Sequence, residues 1–253
     1  MTTTAILSAL AEEQQGLVGR LTNPVLVTRA GRDFWRGELQ GRSVVLGLSR
    51  IGKVAAATTA TTLIEAFGVS RVVFTGVAGG VGPGVDVGDV VVATEFLQHD
   101  MDASPIFPRY QIPLYARSRF ECDANLTAML LEAARLGLTE TGCELGEQHS
   151  RKTMTIHAGL IASGDRFVSG ATEVRVLQDA LNAAGFAPLA VEMEGAAVAQ
   201  VCFDYGVPFA AVRTISDRAD DLAHVDFPAF VTGVASRYAH AIIGQFLHLL
   251  PKP

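Results

Sequence analysis

Several strand-like runs of this chain, such as Val72-Val73-Phe74 and Ala210-Ala211-Val212, are apolar without alternation. A strand with one wet face alternates apolar and polar residues, whereas a strand covered on both faces does not. Between these runs lie segments of three to four helical turns, and strands alternating with helices are the pattern of an α/β layer fold. Strands are expected at Thr4–Leu10, Val25–Arg29, Asp33–Leu39, Ser43–Leu48, Arg71–Thr75, Asp89–Leu97, Gly159–Ser163, Leu189–Met193 and Phe209–Ile215. Helices are expected at Lys53–Phe67 before Gly68, Ala124–Leu136 after an Asp123 cap, and Glu173–Ala184 after a Thr172 cap. Two more are expected at Gly195–Tyr205 and from Pro228 to Leu250, the last with Phe230, Val234, Tyr238, Ile242, Phe246 and Leu249 at helical spacing.

A chain of 253 residues, 49% hydrophobic, buries about 70–75% of its unfolded surface and needs no disulfide or metal staple. One domain spanning 1–253 is the expected organisation. Lys+Arg 20 against Asp+Glu 26 gives a net charge of −6, which argues against a nucleic-acid partner, since phosphate binding needs clustered cations. Cys122, Cys143 and Cys202 form no CxxC pair, so a reducing cytoplasm is expected and neither a metal site nor a cofactor is called for. The N-terminus, MTTTAILSALAEEQQ, lacks a basic n-region, and no apolar run approaches the ~18 residues of a membrane span. A small-molecule ligand fits this balance best. One segment, Ala103 to Phe120, breaks the rhythm with three prolines and four aromatic residues. Unstructured loops longer than ~12–15 residues tend to be lids or contact loops, although a surface excursion fits the composition equally well.

Four places could carry chemistry. Thr75-Gly76-Val77-Ala78-Gly79-Gly80-Val81-Gly82-Pro83-Gly84 follows an apolar strand, where bare amides can approach a ligand or simply make a tight turn. It is not a dinucleotide fingerprint, because the glycines miss GxGxxG and a strand follows. Val191-Glu192-Met193-Glu194-Gly195 sets two carboxylates at a strand-to-helix junction, on one side of an extended chain. They could act chemically or merely complement a helix N-terminus. Asp217 closes the run FAAVRTI, at the kind of strand end where ligands of open α/β sheets collect. Glu12 and Glu13 follow the first strand in the same way, and Gln98-His99-Asp100-Met101-Asp102 is better read as a polar strand end than as a metal cluster. Three separated strand ends that each deliver a carboxylate point to a pocket with acid–base chemistry.

At these residues the chain resembles the 5′-methylthioadenosine/S-adenosylhomocysteine nucleosidases of the nucleoside phosphorylase/nucleosidase superfamily. The resemblance covers nearly the whole length and rests on eight blocks in order: SALAEE, SRIGKVAAA, TGVAGG, VGDVVVA, QHDMD, ASGDRFV, VEMEGAAVAQVC and VRTISDRAD. It implies a three-layer α/β/α sandwich around a twisted mixed sheet, no cofactor or metal, an adenosine thioether and water as substrates, and a homodimer. Loop 103–120, from about Phe107 to Pro113, would then cover the 5′-alkylthio group in the partner's site.

The resemblance makes Glu13 the base that activates water, Glu194 the carboxylate on the ribose hydroxyls and Asp217 the acid that assists adenine departure. Cleaving a ribose–N9 bond needs a proton at N7 and a water on the opposite face, the two-carboxylate logic of inverting glycosidases. By the same resemblance Arg213 helps hold the water and Ser216 orients the acid. Phe167 stacks on adenine while Val168 offers its backbone. Leu10, Ile51, Met193 and Phe227 line the thioether end, and Ala9, Val77, Ala78 and Gly79 line the sugar and base, with Glu192 in the same substrate-binding segment.

The chain departs from the family at Val77, Arg50 and Leu10, where many relatives carry Ser, Gly and Met. Relatives that hydrolyse 6-amino-6-deoxyfutalosine in menaquinone synthesis share SxIGKV, GVAG and QHD, so that substrate is an alternative. A phosphorylase is a second rival, weakened by Phe74, where phosphate-using relatives carry Arg, and by the negative Glu13, while Arg50 speaks for it. A purine-nucleoside-binding regulator is a third, although all three carboxylates are present.

Overall fold

The computed structural model describes residues 2–14, 16–140, 154–218, 230 and 234–251, with the side chains of Glu13 and Glu140 outside the description. In chain order the elements are β1 (Thr4–Ser8), α1 (Ala11–Gln14), β2 (Thr22–Arg29), β3 (Arg32–Leu39), β4 (Arg42–Leu48), α2 (Lys53–Phe67), β5 (Arg71–Gly80) and β6 (Val90–Gln98). They continue with β7 (Arg119–Glu121), α3 (Ala124–Glu140), β8 (Ile156–Ser163), α4 (Ala171–Ala183), β9 (Ala190–Glu192), α5 (Gly195–Tyr205), β10 (Phe209–Asp217) and α6 (Ser236–Leu249).

The strands join one mixed sheet in which β1 lies parallel between β4 and β5, and β5 lies parallel to β10. Because β10 also pairs with β6, β6 with β8, β8 with β9 and β9 with β5, these five strands close a ring. The β2–β3–β4 meander extends the sheet outward from β1. Continuous apolar strands imply burial on both faces, and alternation along each strand sorts its residues between two cores. Ala5, Leu7, Val72, Phe74 and Ala211 pack with Ala56, Ala60 and Leu63 of α2 and Ala196, Ala199 and Cys202 of α5. Their neighbours Ile6, Val73, Ala210 and Val212 pack on the opposite face with Leu126 and Leu130 of α3 and Ile242, Ile243 and Phe246 of α6. The fold is therefore an α/β sandwich of the kind implied. Each such Val, Leu or Phe contributes about 1.5–3 kcal/mol on burial.

Helix α2 has the expected bounds, with Gly68 left-handed at φ 58, and Asp123 caps α3 by accepting from Leu126 N at 2.9 Å. Helix α4 differs from expectation. It begins at Ala171 behind Gly170, with no side-chain cap, so Thr172 already lies inside the helix. Helix α6 carries the expected apolar face from Ser236, and the earlier part of that expected helix, 228–235, lies largely outside the described residues.

The glycine-rich stretch after Thr75 is the larger correction. Residues 75–80 are strand, the second half of β5. Both edges of β5 are occupied there, by β10 and by β9 at Gly79↔Val191 and Gly80↔Ala190. A Cβ at Gly80 would come within 3.0 Å of Ile215 Cγ2, so the glycine serves close strand packing.

Loop 103–120 is tied down at several points. Tyr110 is buried and meets Phe186 edge-on at 5.9 Å. Tyr115 Oη donates to Asp204 at 2.9 Å, and the Arg117 guanidinium lies 4.2 Å over the Phe203 ring. Two apolar side chains of this loop point outward, Ile106 at 82% and Leu114 at 91% exposure.

Candidate active site

The carboxyl ends of β1, β5, β9 and β10 surround a cleft of about 780 Å³, part of it open to solvent. Ala9 and Leu10 follow β1 into its wall, Val77, Ala78 and Gly79 come from β5, and Ile51 stands before α2. Phe167 and Val168 follow β8, Glu192, Met193 and Glu194 span the β9–α5 junction, and Ser216 and Asp217 end β10. The glycine stretch read as a loop therefore reaches the cleft as strand backbone. Arg166 and Val191 also line the cleft; both lie in segments that the sequence singles out, although neither is among the expected site residues. Phe227 and the side chain of Glu13 lie outside the described residues; helix α1, which carries Glu13, follows directly on Ala9 and Leu10.

The two carboxylates of the β9–α5 junction have separate surroundings. Glu192 ends β9 and is buried, with both oxygens within 2.9 Å of Gly195 N. It also accepts from Ser163 Oγ and from Arg213 at 2.9 Å. Arg213 stands behind the cleft wall, 1% exposed, where it donates to the carbonyls of Phe74 and Val212 at 3.0 Å and lies 4.1 Å over the Phe74 ring. Phe74, the residue before the glycine stretch, thus packs its ring against a guanidinium that is already paired with Glu192. A buried ion pair holds only when hydrogen bonds satisfy its remaining groups, as they do here.

Glu194, two residues past the end of β9, has φ −134 and ψ −38, neither helical nor extended. Its Oε1 accepts from Gly52 N at 2.8 Å, at the start of α2. Both acids thus complement helix N-termini, the structural role open to them from sequence, and both also line the cleft. The sharp start of α5 depends on Gly195, where a Cβ would meet Phe96 Cε1 at 2.2 Å.

Asp217 is 4% exposed and accepts from Ser216 Oγ at 2.7 Å. Two consecutive residues face one cleft because β10 is irregular: Ile215 pairs with Ala78 and Asp217 with Gly79, leaving Ser216 as a bulge.

Behind Glu194, the start of α2 is held by charge. Lys53 N donates to Asp165 Oδ1 at 2.7 Å, and Lys53 Nζ reaches Asp100 at 2.6 Å and Gln98 at 3.0 Å. Asp165 N in turn donates to Asp100 at 2.9 Å. Burial raises the Asp100 carboxyl, but bonds from Lys53 and Asp165 outweigh it and hold the group below its ordinary value. His99 packs its ring where a Cβ on Gly164 would come within 2.4 Å, and burial lowers its imidazole. The QHDMD segment thus supports the cleft wall, with Asp102 turned to Ser104 N at 3.0 Å.

Basic groups near the cleft are engaged. Arg166 pairs with Glu173 at 2.7 Å, and Arg50, which lies outside the cleft lining, donates to the Gly31 carbonyl at 2.5 Å. Among the described residues no cluster of His, Cys, Asp and Glu has the makings of a metal site.

Comparison with known proteins agrees with this architecture. Residues 3–248 match the phosphorylase superfamily. The chain is 35% identical over 246 residues to the 5′-methylthioadenosine/S-adenosylhomocysteine nucleosidase of Actinobacillus succinogenes, covering 96% of this chain and 98% of that one. Among solved structures it superposes on the Neisseria meningitidis nucleosidase in complex with methylthio-immucillin-A with a TM-score of 0.86 and 34% identity, over 99% of this chain and 100% of the other. It superposes on the futalosine hydrolase of Helicobacter pylori with a TM-score of 0.82 and 33% identity, over 98% of each chain. An α/β sandwich with cleft carboxylates at the ends of β9 and β10, together with this likeness over nearly its whole length, places the chain in the 5′-methylthioadenosine/S-adenosylhomocysteine nucleosidase family of the phosphorylase superfamily.

Proposed function

We propose that the chain hydrolyses the N-glycosidic bond of 5′-methylthioadenosine and S-adenosylhomocysteine, releasing adenine and the corresponding 5-thioribose. The observation that carries this reading is the placing of Glu194 and Asp217 in one largely apolar cleft. Departure of adenine needs a proton at N7, and Asp217, oriented by the Ser216 hydroxyl, is the donor. Glu194 takes the ribose hydroxyls and offsets the positive charge that develops on the sugar. Glu13 on α1 removes a proton from the attacking water. Bond breaking at N9 and bond making at C1′ then consume one water, and the proton taken at Glu13 balances the one given by Asp217.

Phe167 stacks on the base beside the Val168 backbone, while Ala9, Val77, Ala78 and Gly79 bound the sugar. Leu10, Ile51, Met193 and Phe227 receive the thioether, an apolar group suited to an apolar wall. Glu192, with Arg213 behind it, is the rigid floor on which the water and ribose are held. The engaged guanidiniums of Arg50, Arg166 and Arg213 leave no ready phosphate site among the described lining residues, which favours water as nucleophile.

The same reading makes the chain one nucleosidase domain that works as a homodimer in the cytoplasm, in methionine salvage. Buried free thiols at Cys122 and Cys202 suit a reducing compartment, and burial pushes Cys122 up to about 12. Among the described residues no helix is long and apolar enough to cross a membrane.

A second reading, hydrolysis of 6-amino-6-deoxyfutalosine, is favoured by the likeness to the Helicobacter pylori futalosine hydrolase and uses the same carboxylates. Adenine release from the three nucleosides, in phosphate-free buffer and with phosphate added, tests both. Hydrolysis without phosphate is expected, and the ranking of substrates assigns the pathway. A requirement for phosphate would overturn the role of Glu13.

A further inference from the structure

The bulge at Ser216 lets Ser216 and Asp217 face the cleft together, since a regular strand would send them to opposite sides. Its geometry is fixed from outside the cleft by the turn at residues 86–89. Ile215 N donates to the Asp89 carbonyl at 2.8 Å, and Gly88 N donates to the Ile215 carbonyl at 2.9 Å. Just beyond the bulge, Arg218 pairs with Asp86 of the same turn at 3.1 Å. The turn therefore grips β10 on both sides of Ser216 and Asp217.

That turn is wrapped around one buried carboxylate. Asp89 is 3% exposed. Its Oδ2 accepts from Asp86 N at 3.0 Å and from His157 Nε2 at 2.9 Å, and its Oδ1 accepts from Thr155 N at 2.9 Å. Asp89 N closes the turn on the Asp86 carbonyl at 3.0 Å, and Gly88 takes φ +90, where a side chain would be strained. We infer that Asp89 is a positioning residue for the reaction: its carboxylate folds the 86–89 turn, the turn holds the Ser216 bulge, and the bulge aims Asp217 at the departing base. The inference rests on the reading of Asp217 as the proton donor to adenine.

Asn at position 89 preserves shape but turns an N–H group toward Asp86 N or Thr155 N, donor against donor, and loosens the turn. The test compares two substrates. One is 5′-methylthioadenosine, whose base leaves with a proton. The other is a 5-methylthioriboside of 4-nitrophenol, whose phenolate leaves without one. Asp89→Asn is expected to lower kcat for adenine release by about 10–100-fold with KM within about threefold, part of the ~10²–10⁴-fold range of full acid assistance. Cleavage of the nitrophenyl riboside is expected to stay within about threefold.

Gly88→Ala, which strains the turn without touching the carboxylate, is expected to give the same selective loss and decides the matter if Asp89→Asn does not fold. Equal slowing of both substrates, or no slowing by either variant, overturns the inference. Asp217→Asn, measured in parallel, separates the two layers. If it shows the selective loss and the turn variants do not, positioning by Asp89 is wrong. If it shows none, the assignment of Asp217 itself is wrong and the inference falls with it.

Discussion

Glu192 and Glu194 stand two positions apart in an apolar segment, and their bonds divide their work. Glu192 neutralises Arg213 inside the protein, whereas Glu194 accepts from the uncharged Gly52 N–H at the start of α2. Glu192→Gln leaves a guanidinium buried without counter-charge, which costs about 3–5 kcal/mol. A drop in melting temperature of about 10 °C is therefore expected in a thermal scan. Glu194→Gln keeps an acceptor for Gly52 N and is expected to melt within about 2 °C of the parent while adenine release falls at least ~10²-fold. Equal melting temperatures for the two variants would refute this division. The sequence pattern places both acids on one side of an extended strand, and it marks both as candidates. What separates them is the non-helical, non-strand backbone of Glu194 and a partner, Arg213, that lies 21 residues further along the chain. Neither is a local signal.

At the scale of elements, helix α2 is preceded by Gly52, which has no side-chain oxygen to cap it. Carboxylates from two other parts of the chain, Glu194 and Asp165, take the first amides instead, and Lys53 ties the helix start to Asp100. The Asp100 carboxyl lies below its ordinary value of 3.8 in the folded protein, despite burial, because Lys53 and the Asp165 amide favour the charged form. A lowered carboxyl contributes stability that is complete above the unfolded value and is lost as pH falls through the folded one. Asp100→Asn is therefore expected to cost about 1 kcal/mol at pH 7, with the deficit closing as pH falls below about 4. Denaturant midpoints measured from pH 7 down to 3 check this, and a deficit independent of pH would assign the loss to packing alone. The helix itself was legible from end to end, because apolar spacing and Gly68 mark its body and its stop. The distant carboxylates that take its first amides and the glycine strand of β5 were not. Glycines that resemble a turn in one dimension are demanded here by β9 and β10 closing on both edges of β5, a crowding that arises only once distant strands pair.

For the whole molecule, continuous apolar runs foretold a sheet covered on both faces, while closure of five strands into a ring depends on pairings remote in sequence. The outer surface shows a similar division. Ile51, Val54, Ile106 and Leu114 expose 60%, 79%, 82% and 91% of their surface. Ile106 and Leu114 sit on the loop that Tyr110, Tyr115 and Arg117 hold in place, so they project from a fixed base. Ile51 lines the open end of the cleft. In the proposed homodimer the loop of one chain covers this end of the other, so Ile106→Glu combined with Leu114→Glu is expected to give a monomer in sedimentation and to slow adenine release at least tenfold. The loss should fall mainly in KM, because the carboxylates remain in place while the thioether loses its cover. Mixing the double variant with Asp217→Asn, which keeps a normal loop but lacks the acid, is expected to restore activity. In the mixed dimer the intact loop of the second chain covers the intact carboxylates of the first. A double variant that stays dimeric with full activity would remove the loop from the site, and a monomer with full activity would show that each cleft works alone.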